Sequence, residues 1–160
     1  MKPYRLGGIE IHRVVDIEDR ESEAFSVSLV KFSPDATLEA IEPHRHWLEP
    51  GLLDPASGLL VISFHSFVIR TAHHVIVVDT CGGNDKSRPG KVRYHMNSHP
   101  YLDNLTAAGI APEDVDFVLC THLHVDHVGW NTRLLDGRWV PTFPNARYLF
   151  GRVEWEFWER

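Results

Sequence analysis

Residues 121–130 read THLHVDHVGW, so His122, His124, Asp126 and His127 fall within six consecutive positions. The cluster follows directly on DFVLCT, 116–121, an apolar run of strand length. The cluster thus begins where a strand ends, and in α/β layered proteins ligands tend to bind at the carboxyl ends of strands. In an extended segment residues two apart project to the same side, so His122 and His124 can reach one ion. Asp126 and His127 are adjacent and follow as the chain turns, which aims them at a second point. Imidazole with carboxylate suits zinc, and also iron, manganese or cobalt. Two cations sharing a water would draw its pKa toward neutrality and supply hydroxide as a nucleophile. The chain holds 11 histidines, so an exposed His-rich loop without a ligand is the plain alternative. The spacing and the buried strand before it argue against that alternative.

Ile9–Val15, β-branched and preceded by Gly7-Gly8, predicts a short strand. Residues 16–36 are charged and then mixed, with a turn at Ser33-Pro34-Asp35. Residues 43–58, with three prolines and two glycines, read as irregular loop. LLVISFHSFVIR (59–70) and HVIVVDT (74–80) predict two strands joined by a hairpin turn at Thr71-Ala72-His73. Apolar residues fill both phases of each, which predicts burial on both sheet faces. Cys81–Gly90 reads as a polar loop. Ser98–Gly109 predicts a helix with Ser98 as its cap, Pro100 in its first turn and Gly109 at a left-handed exit. Tyr101, Leu102, Leu105 and Ala108 share one face of it. Asn131–Pro144 reads as a polar hairpin, Ala146–Phe150 as a strand, and GRVEWEFWER (151–160) as an aromatic-rich helix with no stop signal.

A length of 160 residues bounds the chain to a single domain, 1–160. The net charge of −6, with no run of Lys or Arg, argues against a nucleic-acid partner. The longest apolar stretches, Leu59–Phe64 and Val75–Val78, are strand-length, so no membrane span is expected. MKPYRLGGIE lacks the apolar core of a signal peptide, and the expected compartment is the cytoplasm. Cys81 and Cys120 are then expected as free thiols, and the sequon Asn104-Leu105-Thr106 carries no meaning without export.

Thr121-His122-x-His124-x-Asp126-His127 resembles the HxHxDH signature of the metallo-β-lactamase superfamily. Val77-Val78-Asp79-Thr80 followed by Gly82-Gly83 resembles that superfamily's earlier motif, an Asp at a strand end. The resemblance covers roughly residues 59–150. It implies the N-terminal half of an αβ/βα sandwich with a binuclear metal site on one edge. His122 and His124 would hold the first of two divalent ions, most simply Zn2+, and Asp126 and His127 the second. Asp79 would brace the motif loop by hydrogen bonds, and Asp126 would also assist proton transfer. GWN after the motif and the stretch Gly137–Ala146 look like the lactonase and organophosphate-hydrolase-like branch. The implied activity is hydrolysis of a small-molecule ester or lactone, as in acyl-homoserine lactonases. Phosphotriesters, thioesters and β-lactams are the alternative substrates.

Members of the superfamily take a third His, a bridging Asp and a last His from the C-terminal half. After His127 this chain has no histidine, and its one later Asp is Asp136, in an LLDGRW turn. An unfinished site and an unstopped helix together predict the N-terminal part of a longer enzyme. The rival expectation is a non-catalytic metal-binding or interaction half-domain that pairs with another chain, for example as a homodimer.

Other candidates read as structural. His44-x-His46-Trp47 and His73-His74 sit in predicted surface loops, and His95 and His99 flank the predicted helix. Gly82-Gly83 lacks phosphate-loop spacing. Cys120 reads as a small core residue rather than a nucleophile. Trp47, Trp130 and Trp139 fit either a substrate pocket or packing.

Overall fold

A computed structural model describes residues 2–19, 28–33 and 35–160. In chain order the elements are β1 (Tyr4–Leu6), β2 (Ile9–Asp19), the one-turn helices α1 (Leu29–Phe32), α2 (Leu38–Ile41) and α3 (Arg45–Leu48), then β3 (Ile62–Arg70) and β4 (Val75–Val78). They continue with α4 (Tyr101–Ala107), β5 (Phe117–Leu119), β6 (Thr132–Leu135), β7 (Arg138–Pro141), β8 (Arg147–Leu149) and α5 (Arg152–Trp158). The chain divides into two compact units, Met1–Ile17 with Phe64–Arg160, and Glu18–Ser63.

In the smaller unit Ile41, Leu48 and Leu53 make a core, with Ala36 and Leu60 against it. Thr37 caps α2 through its hydroxyl, which accepts the Ala40 amide at 3.2 Å. The expected irregular loop over 43–58 is corrected over its first part, which turns helically. Arg45 pairs with Glu42 three residues back and Glu49 four residues on, and Leu48 is buried. The indole of Trp47 donates to His44 Nδ1 at 3.2 Å, which occupies one histidine of the His44-x-His46 pair locally. The expected turn at Ser33-Pro34-Asp35 includes Pro34, outside the described residues, as are 20–27 of the stretch read as mixed.

The larger unit is built on a sheet of order β1-β2-β3-β4-β5-β8. β1–β2 and β3–β4 are antiparallel, whereas β4, β5 and β8 run parallel. One row across the register, Val68↔Val77↔Val118↔Tyr148, belongs to the core with Tyr101 and Leu105 of α4. The next row, Phe67↔Val78↔Leu119↔Leu149, points to the other face, where Phe67, Leu119 and Leu149 are 45%, 39% and 41% exposed. The expected burial on both faces is corrected to burial on one. The apolar residues are there in both phases, but α4 covers only the first row.

The β3–β4 hairpin turns where the sequence placed it, with Thr71 Oγ1 accepting the amides of His73 and His74. α4 is shorter than expected. His99 precedes Pro100 and is biased away from helical backbone, and Asn84 holds its amide and carbonyl at 2.9 Å each. Ser98 therefore does not cap the helix, whereas Gly109 exits at φ +74 as predicted.

Behind the sheet, the hydroxyls of Tyr101 and Ser66 lie 2.7 Å apart, and Ser66 donates to the Asp79 carbonyl at 2.6 Å. Removing one member of a buried chain leaves its neighbours unsatisfied, at about 1–3 kcal/mol. Ser66→Ala is accordingly expected to cost about 2 kcal/mol, and urea denaturation reads the change. A midpoint equal to that of the parent protein would show that the chain carries no stability.

Candidate functional site

β4 and β5 are parallel neighbours, so their carboxyl ends reach the same sheet edge. The Asp79 amide donates to the Leu119 carbonyl at 2.9 Å and the Cys120 amide to the Leu149 carbonyl at 2.8 Å, and beyond these bonds both segments leave the sheet. Asp79 and Cys81 take left-handed backbone, φ 55 and φ 49, a conformation non-glycine residues adopt at a cost. The Asp79 carboxylate then meets the other loop. Its Oδ1 accepts the Thr121 amide at 2.7 Å, and its Oδ2 accepts the Thr121 hydroxyl at 2.7 Å and faces His127 Nδ1 at 2.8 Å. With Nδ1 donating, a neutral His127 ring keeps its lone pair on Nε2, which lies 3.6 Å from Asp126 Oδ2. Such a carboxylate–histidine pair is how metal-binding imidazoles are commonly oriented.

His122 lies between the other two histidines of the loop. Its ring is 3.8 Å from that of His127 and 4.7 Å from that of His124, centroid to centroid. The donor set of three imidazoles and one carboxylate suits a divalent cation in its chemistry. Among the described residues, no three or more His, Cys, Asp or Glu side chains converge in an arrangement that could hold one.

Two loops carry the site, and glycines let them touch. The amides of Gly129 and Trp130 donate to the carbonyls of Cys81 and Thr80 at 2.7 Å each, and the Thr80 amide returns to the His127 carbonyl at 2.8 Å. A Cβ on Gly129 would stand 2.0 Å from the Gly82 carbonyl carbon, and one on Gly83 would stand 2.6 Å from that of Gly129. Gly82-Gly83 thus serves close backbone approach. Gly82 also gives room to the Tyr94 ring, whose Cδ1 would lie 3.3 Å from a Cβ there. Tyr94 packs edge-on to Phe64 at 5.6 Å, and its hydroxyl faces Asp126. Burial, and then the Asp126 charge, push that phenol up to about 12, so it stays a neutral donor.

Nothing in the sequence singled out Tyr94, Asp16 or Glu154. Asp16 is buried in β2, with Oδ1 accepting the Trp130 indole at 2.9 Å and Oδ2 the Gly82 amide at 3.0 Å. Glu154 of α5 accepts the Leu123 amide at 3.0 Å. These long-range ties leave no periodic mark.

The remaining candidates fall elsewhere. Trp130 is core, stacked on Tyr101 at 5.2 Å. Trp139 is half-exposed under the Lys86 ammonium, 3.8 Å above its ring, and burial with nearby Arg88 lowers that lysine to about 8. Trp47 belongs to the smaller unit. Cys120 and Cys81 are free and buried, and burial raises both thiols, against a nucleophilic role. His73 and His74 are exposed in the hairpin turn. His95 Nδ1 accepts the Arg88 amide at 2.9 Å. Asp136 and Gly137, at φ 48 and φ 75, make the left-handed tip of the β6–β7 hairpin.

A model of the metallo-beta-lactamase superfamily matches residues 64–159, and the chain belongs to that superfamily. A stretch of 56 residues is 36% identical to N-acyl homoserine lactonase AttM of Agrobacterium fabrum, covering 35% of this chain and 18% of that protein. The hydrolase AbOPH of the beta lactamase superfamily is similar in structure, with a TM-score of 0.63 and 25% identity over 99% of this chain and 47% of its own. AidC, a dizinc quorum-quenching lactonase solved with the product N-hexnoyl-L-homoserine, shares the fold at a TM-score of 0.63 and 20% identity, over 98% of this chain and 46% of its own. A probable metal-dependent hydrolase from Staphylococcus aureus does so at 0.62 and 22%, over 96% and 50%. The chain spans about half the length of these solved structures.

Gly129→Ala drives a methyl into backbone that cannot retreat and is expected to cost about 3 kcal/mol or more by urea denaturation. Stability within a few tenths of the parent would refute the close approach. Asp16 generates a pH dependence. Burial raises its pKa above the ordinary carboxylate value, only partly offset by Trp130 and Gly82. The folded state therefore holds this proton more tightly than the unfolded chain. That contribution is complete below the unfolded value of about 4 and is lost as pH rises through the folded one. Relative to Asp16→Asn, the parent protein should lose stability as pH rises above about 4. Parallel stability–pH curves for the two proteins would contradict this.

Proposed function

We propose that this chain carries part of the metal site of a hydrolase that opens ester or lactone bonds in small molecules. The observation that carries the reading is the fixed His127 ring, with Nδ1 on Asp79 and Nε2 toward Asp126, beside the imidazoles of His122 and His124. The stretch similar to an N-acyl homoserine lactonase favours lactones over the other esters.

In this reading His122 and His124 would hold one divalent ion, and Asp126 and His127 a second. The donor chemistry favours zinc. Two such ions, when bound, supply Lewis acidity and a water acidified to near neutrality. Asp79 keeps the proton on His127 Nδ1, which leaves Nε2 free to bind. Asp126 would take the proton that the attacking water loses and pass it to the departing oxygen, while the neutral Tyr94 hydroxyl beside it orients its carboxylate. These four side chains are the donors that the reading assigns to this chain. A second reading, a metal-binding half-domain completed by another chain, is favoured by the apolar sheet row left exposed at Phe67, Leu119 and Leu149. Activity that appears only on mixing with a partner chain would decide for it.

The test is hydrolysis of a lactone panel, with thioesters and phosphotriesters as controls, by the complete protein before and after metal removal. Asp126→Asn should lower kcat/KM about 100-fold and reduce the metal content. Full metal loading at an unchanged rate would overturn the assignment.

A further inference from the structure

We infer that Glu154 is a positioning residue for the donor loop, its carboxylate fixing the peptide between His122 and His124. The inference rests on the metal-binding role proposed above for those two histidines. The amide of Leu123 belongs to the peptide that joins His122 to Leu123, between the two donors, and it ends on Glu154 Oε2 at 3.0 Å. On the preceding side, the Thr121 amide ends on Asp79 Oδ1 at 2.7 Å. The residues on either side of His122 are therefore each tied by a backbone amide to a carboxylate, one from the end of β4 and one from α5. The Leu123 side chain packs against the core and gives the loop an apolar footing as well.

The surroundings of Glu154 are the reverse of an ordinary helix. Val153, Trp155, Phe157 and Trp158 of α5 are 80%, 48%, 64% and 51% exposed, whereas the charged Glu154 is half-buried. Glu154 stands three residues after the N-cap Gly151, where a glutamate usually turns back to the cap amide. Here it reaches across to the loop. The Trp158 ring, edge-on to His124 at 5.8 Å, brings the end of the same helix against the second histidine. Glu154 stays clear of the reacting atoms and acts through Leu123.

The experiment is Co2+ titration of the complete protein, read by visible absorption of the bound ion, alongside thermal unfolding. Glu154→Ala should weaken Co2+ binding about tenfold or more and alter the spectrum. Glu154→Gln, whose amide oxygen can still accept the Leu123 N–H, should stay within about threefold of the parent. Glu154→Leu keeps the bulk without the acceptor and should match the alanine variant, which covers the case in which alanine fails to fold. Unaltered Co2+ affinity and spectrum in the leucine variant, with only a lower Tm, would overturn the inference. A glutamine variant as weak as the leucine one would do so too, because charge rather than the hydrogen bond would then be acting. A parent protein that takes up no Co2+ would overturn the metal reading itself, and this role with it.

Discussion

The Asp79 carboxylate is the interaction on which the rest of this structure turns. It accepts the Thr121 amide, the Thr121 hydroxyl and His127 Nδ1, and so binds the loop after β5 to the end of β4 at both of its ends. The parallel pairing of β4 with β5 brings the two strand ends to one edge. A left-handed turn at Asp79 then aims the carboxylate across the gap rather than along the sheet. Charge-assisted hydrogen bonds of this kind are worth roughly twice neutral ones, which offsets the strain of the turn.

The support behind that carboxylate is itself polar and buried. Ser66 holds the Asp79 carbonyl and meets the Tyr101 hydroxyl, while Asp16 gathers the Trp130 indole and the Gly82 amide. Burial in low dielectric makes each unsatisfied group costly, so these chains specify one arrangement of the two loops rather than merely adding stability. Glycine supplies the other half of the constraint. At Gly129 the opposing backbone lies where any side chain would have to stand.

Much of this was legible locally. Apolar and β-branched runs located most of the strands, though not β1, Gly109 marked a helix exit, and Asp136-Gly137 marked a hairpin tip. The spacing His122-x-His124-x-Asp126-His127 marked the loop that follows β5. The misses have physical causes. Ser98 lost its capping role to the restriction that Pro100 places on His99, and 43–48 turned helically through Arg45's ion pairs despite two nearby prolines. The apolar phase containing Phe67 and Leu119 says that a face should be covered but not by what.

The sequence by itself determined most of the elements, their turns and the clustering of imidazole and carboxylate side chains in the loop, because periodicity and turn chemistry act over a few residues. Only the tertiary structure decided which groups hold those side chains in place. Asp16 finds its partners 66 and 114 residues away, and Glu154 finds Leu123 31 residues back. Contacts at that range depend on strand order and register, and a lone buried carboxylate reads in the chain like any solvated one.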